Sequence, residues 1–137
     1  MNITEMLMKG SVEEANERPK GTFNSKRLGK IIGNDDPVTV EFVALSPRRV
    51  QQIRAMMTSK NGDIIINKQV DASLVMIIDA VTNPNLKDDN LCKRFGASTP
   101  KDLAEKLFDV EVEPLAQKIL SISQPSEEES EEEMVKN

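Results

Sequence analysis

The run from Thr82 to Phe108, TNPNLKDDNLCKRFGASTPKDLAEKLF, constrains the fold more than any other part of the chain. It reads as the end of one helix, a short second helix and the start of a third, with each boundary marked. Asn83-Pro84-Asn85 stops the first helix, because proline lacks a backbone donor and biases its predecessor toward extended geometry. Asp88 and Asp89 are placed to cap the second, and Gly96 to close it in the left-handed conformation. Ser98 or Thr99 caps the third, with Pro100 near its first position and Asp102 in its first turn. This stretch contains no nucleophile paired with a base, no metal cluster and no phosphate loop. It describes packing, and that points to an interaction protein.

The rest of the chain fits around this segment. Thr4 to Lys9 reads as a short amphipathic helix carrying Met6, Leu7 and Met8, and Ser11 to Lys20 as a polar linker. Phe23–Ile32 and Val38–Leu45 flank the turn cluster Gly33-Asn34-Asp35-Asp36-Pro37 and read as two strands. In the second of these, Val38, Val40, Phe42 and Ala44 form one apolar face, as in a strand packed on helices on one side. Ser46 and Pro47 open a helix to about Ser59, with Val50, Ile53 and Met57 at helical spacing. Asn61-Gly62 marks another turn. Val70 to Val81 is a strongly apolar helix whose Leu74, Val75, Ile77, Ile78 and Val81 cover more than one face, which makes it the expected centre of the core. Glu113-Pro114 begins a last helix bearing Leu115, Ile119, Leu120 and Ile122.

The expected fold is therefore α+β and predominantly helical: an N-terminal β-hairpin, then about five short packed helices, then a disordered acidic C-terminal tail. The expected organisation is a short helix and polar linker over residues 1–20, one globular domain over 21–123, and the tail over 124–137.

Composition removes several functions. The 137-residue chain has no His, Trp or Tyr. The side chain best suited to proton transfer near neutral pH is thus missing, though carboxylates and lysines remain. One cysteine makes neither an internal disulfide nor a zinc site, which fits a reducing cytoplasm. No apolar run approaches the length of a membrane span, and MNITEMLMKG lacks the basic start and cleavage site of a signal peptide. The whole net charge of −5 sits in the last residues, where Glu127, Glu128, Glu129, Glu131, Glu132 and Glu133 stand against Lys136. The neutral remainder offers no general attraction to nucleic acid. The tail has too little apolar content to repay the entropy of ordering, and its first reading is a solvated charge block.

Individual residues admit bland explanations. Cys92 reads as a buried inert thiol. Asp35 with Asp36, and Asp88 with Asp89, read as turn and cap residues, because the alternating ligands of a calcium loop are missing. Arg48, Arg49 and Arg54 read as a solvated helix face, and Lys26, Arg27 and Lys30 as charges guarding an edge strand. Methionine is flexible and polarizable, so it suits both a core gap and a groove for an imperfectly repeating partner. Met56 and Met76 read first as core filling, Met6 and Met8 as docking residues. No catalytic, cofactor or metal residue is expected, and the candidate partner-binding set is Met6, Leu7, Met8, Met56, Met57, Leu115 and Ile119.

These residues carry a resemblance. Ser25-Lys26-Arg27, the apolar second strand, the helix opening with Ser46-Pro47 and above all PNLKDDNL…FGASTPKDLAEKLF are similar to the XkdN-like family of phage and prophage tail assembly chaperones. The resemblance runs from about Ile3 to Ile122 and departs from the family pattern at Asp109–Glu113, DVEVE. It implies a non-enzymatic chaperone that coats the tape-measure protein before and during tail tube polymerisation, through reversible multivalent apolar contacts. The partners it implies are the tape-measure protein, the tail tube protein and a frameshifted longer form of this chain, with self-association along the partner. Lys136-Asn137 would supply the second half of a slippery heptamer if encoded AAA-AAC. No cofactor, nucleic acid or membrane enters this picture, which belongs to the host bacterial cytoplasm and not to the mature virion. The alternative is a small phage-encoded adaptor or inhibitor acting through its acidic tail.

Overall fold

A computed structural model describes residues 2–63, 65 and 68–124. Residues 124–137 were expected to form the tail, and all of them after Gln124 lie outside the described residues. The chain opens with two short helices, α1 (Ile3–Met8) and α2 (Val12–Asn16), before strand β1 (Lys20–Ser25). The expected polar linker is thus partly helical: Ser11 accepts a bond from the Glu14 N–H at 3.1 Å and caps α2. Strand β2 (Val38–Val43) pairs antiparallel with β1, with Phe23 opposite Val40 and Ser25 opposite Val38. A third strand, β3 (Val81–Asn83), adds on the other side of β2.

The first expected strand is corrected. Phe23–Ile32 does not continue as a strand; it ends at Ser25, and Lys26–Ile32 forms helix α3. Ser25 makes the switch, because its Oγ accepts the Leu28 N–H at 3.0 Å as an N-cap. Gly33, at φ 95°, closes the helix, so the Gly33–Pro37 cluster is a helix end and not a hairpin turn. The two strands pair as an antiparallel hairpin would, but a helix joins them. Lys26, Arg27 and Lys30 accordingly stand on a helix and guard no strand edge.

After β2 the five expected helices follow. Helix α4 (Pro47–Met56) starts as anticipated, with Ser46 Oγ accepting the Arg49 N–H at 3.2 Å. Helix α5 (Gln69–Ala80) ends at Ala80, before β3. The expected helix stretched one residue further, but Val81 and Thr82 are β-branched and Asn83 directly precedes Pro84, so the segment takes extended geometry and pairs with β2. Asp88 caps α6 (Asp89–Arg94) by accepting from Asn90 N–H at 2.8 Å and Leu91 N–H at 3.1 Å. Gly96 lies at φ 67°, as its position required. Thr99 caps α7 (Pro100–Phe108) by accepting the Asp102 N–H at 3.1 Å. A single 3₁₀ turn, Asp109–Glu111, leads into α8 (Val112–Ser123).

Helix α5 is the centre of the core. Ala72, Leu74, Ile77 and Ala80 are buried on it, and it packs against both α7 and α8. Leu103, Leu107 and Phe108 come from α7, and Leu115 and Ile119 from α8. Val40 and Phe42 close the layer from the sheet. Each such side chain contributes about 1.5–3 kcal/mol on burial, which is why a chain so poor in aromatics can still hold one core.

Candidate partner-binding surface

Helix α1 is defined by its cap and by what it fails to bury. Asn2 Oδ1 accepts the Thr4 N–H at 2.9 Å and starts the helix. Ile3, Met6 and Leu7 recur at i, i+3 and i+4 and so share one face. That face is open: Ile3 is 69% exposed, Met6 55% and Leu7 71%, and Met8 beside them is 83% exposed. A six-residue helix is far below the length that holds by itself in water. Downstream, the arm is pinned to the sheet. Arg18 donates to the Ala44 carbonyl at 3.4 Å and the Leu45 carbonyl at 2.6 Å, and the Pro19 carbonyl accepts the Ala44 N–H at 2.7 Å.

A second apolar feature is a cleft of about 210 Å³ between the end of α4, α5 and α8. Met57, Met76, Ala116 and Leu120 supply its apolar lining. Gln69, Gln117 and a Ser73–Glu113 pair, in which Ser73 Oγ donates to Glu113 Oε1 at 2.9 Å, supply its polar lining. Met56 and Val70, each next in sequence to a lining residue, are 41% and 48% exposed. A larger hollow on the sheet is lined by Lys20, Gly21, Thr22, Glu41, Phe42, Val43 and Thr82, a mixed polar and apolar set.

The expected partner-binding residues do not form one patch. Met6, Leu7 and Met8 are exposed on α1, Met56 is exposed on α4, and Met57 lines the cleft. Leu115 and Ile119 are corrected: both are fully buried in the core and present nothing to a partner. They lie on the right helix but the wrong face, since the cleft side of α8 is Ala116, Gln117 and Leu120. Met56 is exposed where core filling was expected, whereas Met76 is 6% exposed and does fill the core. The cleft side of α8 could have been found by stepping one position along from Leu115 and Ile119, where Ala116 and Leu120 repeat the same spacing.

The remaining chemistry-bearing side chains hold the fold. Cys92 is buried with its Sγ 3.7 Å from the Leu86 carbonyl. Arg49 pairs with Asp79, and Lys101 with Asp71 at 2.8 Å. Arg27 donates to the Lys106 and Leu107 carbonyls at the end of α7. Among the described residues no group of three potential metal ligands occurs, and no helix is long and apolar enough to cross a membrane.

A small, mostly helical domain with an open apolar arm and a methionine-lined cleft is an interaction module in form. The chain matches the model of the phage XkdN-like tail assembly chaperone proteins over residues 3–136, and it belongs to that family. Among solved structures it is similar to one titled as the crystal structure of the protein yqbn, at 13% identity and a TM-score of 0.54. That likeness covers 80% of this chain and 89% of the other, and it concerns the fold. No curated protein matches the chain.

Proposed function

We propose that this chain binds and shields the tape-measure protein while the tail tube assembles, and that it does so without catalysis. The supporting observation is α1, whose apolar face is mostly exposed among the described residues, in a chain belonging to a tail assembly chaperone family. A tape-measure protein is long, helical and apolar, so it offers the kind of surface that an amphipathic helix and a methionine-lined cleft accept. Many weak contacts along it would give occupancy while leaving each copy displaceable by tube subunits. Such work belongs in the host cytoplasm before the virion is complete. The tail tube protein and a frameshifted longer form of the chain are the further partners of this reading.

Co-expression with the tape-measure protein of the same phage or prophage tests it. A soluble complex that forms only when this chain is present is the expected result. An insoluble tape measure with no association would overturn the reading.

A further inference from the structure

We propose that Asn61 is a self-modifying site: the Gly62 backbone nitrogen displaces its side-chain amide, and the conversion loosens the turn that holds Met57 at the cleft. Of the chain's asparagines, only Asn61 is followed by glycine. Any other side chain crowds the attacking nitrogen and narrows the backbone angles it can adopt; glycine does neither. Asn83 is followed by Pro84, which has no N–H to lose. Asn24 lies in β1, where the next residue, Ser25, pairs with Val38, and its own Oδ1 accepts the Thr39 hydroxyl at 3.1 Å. Sequence and structure therefore select the same position.

The turn leaves the attack open. Lys60–Asp63 are all exposed, between α4 and α5. Gly62 sits at φ 87°, and a Cβ built there would meet nothing within 4 Å beyond its chain neighbours. The turn is held by bonds to Ser59. The Ser59 carbonyl accepts the Gly62 N–H at 3.0 Å, the Asp63 carbonyl accepts the Ser59 N–H at 2.8 Å, and Ser59 Oγ accepts the Asp63 N–H at 3.3 Å. Exposed backbone bonds of this kind open at the low end of the stability scale. Opening frees the Gly62 N–H.

Hydroxide then removes the Gly62 amide proton, and the nitrogen attacks Asn61 Cγ. The new N–C bond closes a cyclic imide as the Cγ–Nδ2 bond breaks, and Nδ2 leaves as ammonia with a proton from water. A second water opens the ring. Opening at Cγ leaves aspartate; opening at the Asn61 backbone carbonyl leaves isoaspartate, whose main chain is longer by one carbon. The net change is one water consumed and one ammonia released, with no oxidation. Either product places a new negative charge in the turn, and the longer one breaks the register of the Ser59 bonds. The effect reaches the cleft because the Met57 carbonyl accepts the Ile65 N–H at 2.6 Å, just past the turn, and Met57 lines that cleft.

Peptide mass spectrometry of the full-length chain, aged in warm, mildly alkaline buffer, tests this. Cleavage after Lys60 and Lys68 yields a peptide holding both Asn61 and Asn67, so the second asparagine serves as an internal control. Asn61 should become a mixture of aspartate and isoaspartate, faster at higher pH, while Asn24, Asn34 and Asn67 stay intact. The folded chain should react within about tenfold of the urea-unfolded rate, equivalent to an opening cost of about 1.4 kcal/mol. The Met57 methyl signal should split in aged protein and stay single in the variant N61Q aged alongside. An intact Asn61, conversion spread evenly over the asparagines, or a folded rate further below the unfolded one would overturn the proposal. So would a Met57 signal as uniform in the aged wild type as in N61Q.

Discussion

Glu111 ties together two helices that are far apart in sequence. Its carboxylate accepts Ser25 Oγ at 2.5 Å, Lys26 N–H at 3.1 Å and Arg27 N–H at 3.4 Å, and so closes the N-terminus of α3. Arg27 returns the contact by capping the carbonyl end of α7. Glu111 reaches α3 because Asp109, at φ 44°, bends the chain sharply after α7. Replacing Glu111 with Ala should cost about 1–3 kcal/mol, since three donors lose an ionised acceptor. The cost should appear as a lower midpoint in thermal unfolding, and Glu111→Gln should lose less. Gly29 offers a test with a distinctive sign. In an open helix Gly→Ala stabilises by about 0.5–1 kcal/mol. Here a Cβ would stand 2.5 Å from the Asp36 carbonyl oxygen, which belongs to backbone and cannot rotate away. Gly29→Ala should therefore destabilise, by about 1–3 kcal/mol, and a raised denaturation midpoint would contradict the packing described.

Among the elements, α1 and α8 should respond to mutation in opposite ways. Leu7→Glu on the exposed face of α1 should leave the unfolding midpoint nearly unchanged while weakening capture of a helical partner. Leu115→Ala in α8 should cost about 2–5 kcal/mol of stability, read from chemical denaturation. The caps Ser46, Asp88 and Thr99 were legible because each is a short-range rule with one side chain and one backbone donor. Helix α3 was not. LGKII carries β-branched residues beside a turn cluster, and only the remote carboxylate of Glu111 completes its cap. Strand β3 is three residues long and owes its existence to β2, which no local pattern reports. On the surface, helical spacing located α8 but could not say which of its apolar faces α5 would cover, so Leu115 and Ile119 were assigned outward. The DVEVE departure from the family pattern was visible, but its role depends on Ser25, some 86 residues away.

At the scale of the whole molecule, charge is unevenly placed: residues 1–126 sum to zero and the last residues carry the net −5. The body supplies the apolar surfaces, α1 and the Met57–Met76 cleft, while all of the net charge lies at the end of the chain. A chaperone gripping through the body and an adaptor acting through the tail differ in their response to salt, because screening weakens exposed charge pairs and leaves apolar burial intact. The most direct measurement is a salt titration of the complex recovered after co-expression with the tape-measure protein. Retention of the soluble complex up to about 0.5 M salt, with loss on Leu7→Glu, is the predicted result. Dissociation at moderate salt, with Leu7→Glu without effect, would contradict the account and transfer the binding to the tail.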